Sequence, residues 1–176
     1  LSGAFEPAGE AIARAVLEEG GRVAAAVPRS WQVDKLRERI ASDDLLVGHV
    51  GPTDPEAAAG FVKGATDALG DITEFYAGSC VFRARQAGKD PTGDLQELLD
   101  VNLHTNVTLA RAVLPRMRRR GAGELQFLDV SIDPVELSAT CRASLAALRE
   151  FATAIAADVE GTAIEVIVNG AAVSTS

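Results

Sequence analysis

Few side chains in this 176-residue chain are able to do chemistry, and their types exclude more than they offer. Cysteine occurs twice, at Cys80 and Cys141, too sparsely and too far apart in sequence for a disulfide framework or a zinc site. A reducing cytoplasm is therefore the expected compartment. His104 has no acidic or cysteine companion that suggests a metal. Tyrosine occurs once, at Tyr76, so a reaction that needs a phenol as acid or base has a single candidate. Arginine clusters once, at Arg118, Arg119 and Arg120, and that run ends a predicted helix at Gly121, where cations meet the negative end of the helix dipole. With a formal net charge of −8 and a pI near 4.8, no nucleic-acid role is expected, because phosphate neutralisation needs clustered Lys and Arg.

The elements that must position these residues follow from periodicity. Ala8, Ala11, Ile12, Ala15 and Val16 form one apolar helical stripe, with Pro7 suited to the first turn and Gly20–Gly21 to its end. Arg22–Val27 reads as a short buried strand, and Val33, Leu36 and Ile40 mark a second helix. Asp44–Val50 is strand-like, Pro55–Leu69 an Ala-rich helix and Asp71–Tyr76 a strand. A long helix, Asp94–Arg120, precedes strand Leu125–Val130, helix Ser138–Val159 and strand Ala163–Val168. Strands separated by helices of this length predict an α/β fold: a Rossmann-like, doubly wound, mostly parallel sheet with helices on both faces, in three α/β/α layers. Residues 1–176 form one domain, without repeat or linker. No apolar run approaches the roughly 18 residues of a membrane helix, and no signal-peptide pattern opens the chain. Leu1–Gly3 is already a turn, so the strand expected before it and the C-terminal part of such a fold are absent from this sequence.

Several short strings, in order, resemble the short-chain dehydrogenase/reductase family over nearly the whole chain. Ser2-Gly3-Ala4-Phe5-Glu6-Pro7-Ala8-Gly9 is similar to its TGxxxGxG turn, and Tyr76-Ala77-Gly78 to the end of its NNAG strand. Val101-Asn102-Leu103 and Ala112-Val113-Leu114-Pro115-Arg116-Met117 resemble the helix that carries its catalytic Asn. Ser138-Ala139-Thr140-Cys141-Arg142 stands where YxxxK belongs, and Ile167-Val168-Asn169-Gly170 where the last strand runs into its Pro-Gly.

That resemblance also implies what has been lost. Gly3 and Gly9 hold two glycine positions of the cofactor turn, but Pro7 holds the middle one, where a ring fills space meant for pyrophosphate and one N–H donor disappears. Val27 stands where the family places an acid for the ribose, with only Arg29 nearby, and a lone surface arginine is read as solvated. His49 falls at the position that contacts adenine and is read as a satisfied structural histidine. Tyr76 replaces the second asparagine of NNAG. Among catalytic positions, Ser138 replaces the tyrosine and Arg142 the lysine; a serine hydroxyl is too weak an acid, and arginine does not deprotonate. The catalytic serine falls at Val130, or with a one-residue slip at Ser131. Asn102 alone survives. No cofactor site and no catalytic set is thus expected intact, and no metal site.

The reading that follows is a non-catalytic subunit which binds no cofactor itself and pairs with a homologous active subunit carrying NAD or NADP, as a heterotetramer. The pairing surface would be helices Asp94–Arg120 and Ser138–Val159, with Leu109, Ala112, Val113 and Met117 on one and Leu145, Leu148, Phe151 and Ile155 on the other. The same stripes are also able simply to cover the domain's own sheet. The family holds such an arrangement in the heteromeric hydroxyacyl-CoA dehydrogenase of anaerobic toluene degradation. A second reading is a cofactor-independent enzyme resembling the halohydrin dehalogenases, which Phe5, Phe75 and Arg142 fit and the missing tyrosine does not. A third is a divergent active NAD(P)-dependent oxidoreductase. One aromatic of Phe75 and Tyr76 is expected in the emptied crevice, the other in the core.

Overall fold

A computed structural model of the chain describes residues 1–81, 94–127 and 137–168, with the backbone of residues 171–172. Helix α1 (Pro7–Glu18) begins on a proline whose missing N–H a first turn does not need, and the chain leaves it through Gly20 at φ 78. Strand β1 (Val23–Val27), helix α2 (Trp31–Arg39) and strand β2 (Leu45–His49) follow. Helix α3 (Pro55–Leu69) is capped by Asp54, whose carboxylate accepts the Ala57 N–H at 2.8 Å. Strand β3 (Glu74–Ala77) starts later than the apolar run suggests.

The long helix expected over 94–120 is not continuous. It consists of α4 (Leu95–Leu98), a π turn (Leu99–His104) and α5 (Thr105–Arg120), which ends at left-handed Gly121. The Asp100 carbonyl accepts both the N–H and the hydroxyl of Thr105, an i to i−5 closure that inserts one extra residue. Strand β4 (Ala122–Phe127), helix α6 (Ala139–Asp158), strand β5 (Ala163–Val168) and the short β6 (Ala171–Ala172) complete the order. β4 therefore begins before Leu125, and the expected residues 128–130 lie outside the described residues.

β1 and β2 pair in parallel, β3, β4 and β5 pair in parallel, and β6 closes antiparallel on β5. Ser2 sits between the two groups, bridged in parallel to Ala26 on one side and Ala77 on the other. The order across the sheet is β2, β1, Ser2, β3, β4, β5, β6, a Rossmann-like α/β arrangement.

Alternation along the strands sorts the layers. Val23, Ala25, Val27 and Val47 pack with α1 and α2 through Ala13, Leu36 and Ile40 on one face. Ala26, Phe75, Leu125, Phe127 and Val166 meet α3, α5 and α6 on the other, in the larger core. Leu109, Val113, Met117, Leu145, Leu148 and Ile155 are all buried within the chain. Those residues pack against the chain's own sheet, with Ala112 and Phe151 of the same stripes only partly buried. Beyond α1 and α2, the first face changes character: Glu74, Glu124 and Glu165 lie in register across β3, β4 and β5, beside Tyr76 and Gln126. Among the described residues no helix covers them, and none is long and apolar enough to cross a membrane.

Candidate functional site

In open α/β sheets ligands bind at the carboxyl ends of the strands, where the chain order reverses. Here that point lies beside Ser2, between β1 and β3, and its floor is the turn of residues 2–9. On its inner side the turn answers to backbone contact. Gly3 has φ 75, and a Cβ there would stand 2.1 Å from the Gly78 carbonyl oxygen; a Cβ on Gly9 would stand 2.2 Å from the Gly3 oxygen. Ser2 is fully buried, its hydroxyl donating to Asn106 Oδ1 at 2.6 Å and accepting the Gly78 N–H at 3.0 Å.

On its outer side the same turn turns away from phosphate chemistry. Pro7 is exposed at the first position of α1. Glu6 precedes it, and burial pushes its carboxyl above the ordinary value against the opposing effect of Arg39. An acid at this amino end already supplies the negative charge that the helix dipole favours there and repels a second anion. Phe5 meets Trp31 edge to face at 5.3 Å, and the Arg39 guanidinium lies 4.7 Å over the Phe5 ring while also bonding Glu10. This stack occupies the rim between the turn and α2. Neither Glu6, Trp31 nor Arg39 stood out in the sequence, where the only cue was an acid and two aromatics flanking a glycine pattern.

The strand ends agree. Val27 is buried in the core under α1 and α2, so its side chain does not face the crevice. Arg29 is not simply solvated: its guanidinium lies 3.5 Å from Glu97 of α4, an exposed ion pair linking the end of β1 to the other side of the crevice. His49 ends β2 exposed, and no hydrogen bond to it is formed among the described residues, so the expected satisfied structural histidine is not what the fold holds. His104 does have an acidic companion, Asp100, with Nδ1 3.0 Å from Oδ1. Even so, among the described residues no group of three or more His, Cys, Asp or Glu is placed to hold a metal.

Asn102, on the π turn, is fully buried and its amide is spent on structure. Its Oδ1 accepts the Val81 N–H at 2.7 Å, and its Nδ2 donates to the Val81 carbonyl at 3.1 Å and to Ser144 Oγ at 3.0 Å. Asn106 does the same one turn later for Ser79, at 3.2 Å and 2.9 Å. The pair clamps the chain leaving β3, and sequence reading missed Asn106. Ser138 is the N-cap of α6, its hydroxyl accepting the Cys141 N–H at 3.2 Å, so it stands outside the helix rather than on one of its faces with Arg142, which is exposed. Ser131 lies outside the described residues. Cys80 and Cys141, distant in sequence, share a small buried cluster with Leu98, Leu137 and Leu145.

Of the two aromatics of β3, Phe75 is in the core, which removes its support for a cofactor-independent site. Tyr76 is half-buried, its hydroxyl donating to Glu74 Oε2 at 2.6 Å, and burial together with that carboxylate raises its pKa well above the phenol range. At the positions where the family meets a dinucleotide, the helix start has a proline and an acid, Phe5, Trp31 and Arg39 stack beside the turn, and no acid ends β1.

A family model described as short chain dehydrogenase matches residues 1–175. A structure from Mycobacterium marinum, described as a short-chain type dehydrogenase/reductase, superposes with a TM-score of 0.80 at 22% identity, covering 95% of this chain and 70% of that one. A serine dehydrogenase complexed with NADP+ superposes with a TM-score of 0.82 at 23% identity, over 96% of this chain and 68% of that one. The glycine betaine reductase ATRR of Emericella nidulans is 26% identical over 127 residues, 71% of this chain and 10% of that protein's length. The chain therefore spans about a tenth of that curated relative.

Proposed function

The chain belongs to the short-chain dehydrogenase family, and from that premise we propose that it is a non-catalytic member which pairs with and supports an active NAD(P)-dependent dehydrogenase subunit in a heteromeric, cytoplasmic oxidoreductase. The observation that carries the reading is the crevice itself, where Phe5, Trp31 and Arg39 stack beside the turn and Glu6 and Pro7 stand at the start of α1. The remaining family positions are in structural use: Asn102 clamps Val81, and Ser138 caps α6. A chain that keeps the family fold while spending its site residues on packing has the makings of a scaffold subunit. NAD or NADP, carried by the partner, would supply the hydride chemistry.

Since the inward stripes are buried, the contact falls to the outward faces. On α6 these present Ala143, Ala146, Ala154 and Ala157, small side chains that let another helix approach closely. Native mass measurement of the complex from its own organism tests the proposal. A homologous chain at fixed stoichiometry is the expected result, and a homomeric assembly overturns it. Titration calorimetry of the chain alone should show NAD(H) and NADP(H) binding weaker than roughly 10 µM, about −7 kcal/mol, and tighter binding would falsify the cofactor-free reading.

A further inference from the structure

β2 is the last strand on its side of the sheet, with β1 on one flank and, among the described residues, no strand on the other. Its pairing with β1 fixes which backbone groups point outward. The Val23 N–H donates to the Asp44 carbonyl and the Val50 N–H to the Val27 carbonyl, so the even-numbered residues of β2 bond to β1. The N–H and C=O of Leu45, Val47 and His49 therefore face away from the sheet. The run from Leu45 to Val50 holds no Asp, Glu, Lys or Arg and no proline, the composition of a segment that takes up further strands readily. Both faces of β2 are gripped. Val47 packs with α1 and α2, and on the opposite face a Cβ on Gly48 would stand 2.5 Å from the Phe61 ring of α3, so the edge is presented rigidly.

Two of the outward groups are taken from within the chain. The Leu45 N–H donates to the Ser42 carbonyl at 3.3 Å, in the turn that enters the strand. The Val47 carbonyl accepts from Arg37 Nη2 at 2.9 Å, a side chain that reaches over from the last turn of α2. Asp34 lies 3.6 Å from the same guanidinium, but both side chains are exposed and such a pair contributes little. The bond to Val47 is what fixes the arginine.

We propose that the outer edge of β2 is a strand-pairing surface for a second copy of this chain, and that Arg37 holds it closed. The outward row is symmetric about Val47. In an antiparallel pair related by a two-fold axis, Val47 of each copy exchanges both N–H···O=C bonds with the other, and Leu45 of each copy meets His49 of its partner in the same way. A second copy thus meets every outward donor with an acceptor, and no side chain is needed for the match. Arg37 occupies the acceptor at the centre of that row. Two guanidinium groups would also be brought together across the axis, where like charges repel. With the edge closed, the chain does not extend its sheet through itself, and its assembly is left to other faces.

The test compares the chain with Arg37→Ala, with Arg37→Ala/His49→Pro and with Asp34→Ala, by light scattering over a concentration series and by hydrogen exchange at the Val47 amide. In Arg37→Ala an association step that doubles the mass should appear at concentrations at least about tenfold lower than in the parent chain, and Val47 exchange should slow at least about tenfold as the mass rises. Asp34→Ala should behave as the parent, because Arg37 keeps its bond to Val47. Adding His49→Pro removes an outward N–H at an edge position, where proline is tolerated, and should return the mass to that of the parent. An unchanged mass in Arg37→Ala overturns the proposal. Growth in mass with unchanged or faster Val47 exchange also overturns it, since the association then runs through another face or through unfolding. Association that survives His49→Pro excludes the edge as the surface, and slowed Val47 exchange without growth in mass excludes a second copy as the occupant.

Discussion

The two sides of the turn from Ser2 to Gly9 are a few ångströms apart and obey different rules. The inner side is fixed by contact with the rest of the backbone, and there Gly3 and Gly9 are required because any Cβ would strike a carbonyl. The outer side is where a ligand's phosphate would be met, and there stand Phe5, Glu6 and Pro7. The contrast teaches that glycines in a phosphate-turn pattern report a packing requirement first; only the outward positions report the ligand.

The comparison can be broken at either side. Gly3→Ala should cost more than about 4 kcal/mol, because the left-handed φ and the clash with Gly78 act together. A urea midpoint within experimental error of the parent chain would show that the inner side is not rigid. Removing the cap with Ser138→Ala should cost about 1 kcal/mol, measured in the same way, and no cost would free that hydroxyl for another role. On the outer side, Pro7→Gly should change stability by no more than about 1 kcal/mol and leave NAD(H) binding undetectable by calorimetry, because Glu6 and the Phe5–Trp31 stack remain. Recovered binding would make the proline the sole obstacle and weaken the contrast.

Much of the architecture was legible because it rests on local periodicity. Pro55–Leu69 and Ala163–Val168 match the structure residue for residue, and Gly121 ends its helix as expected. The π turn was not legible, since an apolar stripe continues through it and the extra residue arises from a tertiary demand that both Asn102 and Asn106 face the chain at 79–81. At the site, sequence order located Pro7, Val27, Ser138 and Asn102 but not their employment. That Ser138 caps a helix and Arg29 meets Glu97 depends on contacts far along the chain. The stripes on α5 and α6 were ambiguous for a physical reason: burial against the chain's own sheet and burial against a partner impose the same apolar pattern.

The bond from Ser2 to Asn106 has a consequence in time. Its two ends are 104 residues apart, and at about 5–20 residues per second the serine waits about 5–20 s during synthesis before its acceptor exists. In that interval β1, α2 and β2 are already made and able to pair locally, whereas the seam at Ser2 has no second side. The join at Ser2 therefore waits for β3 and α5, which follow β1, α2 and β2 in synthesis and precede β4 and β5.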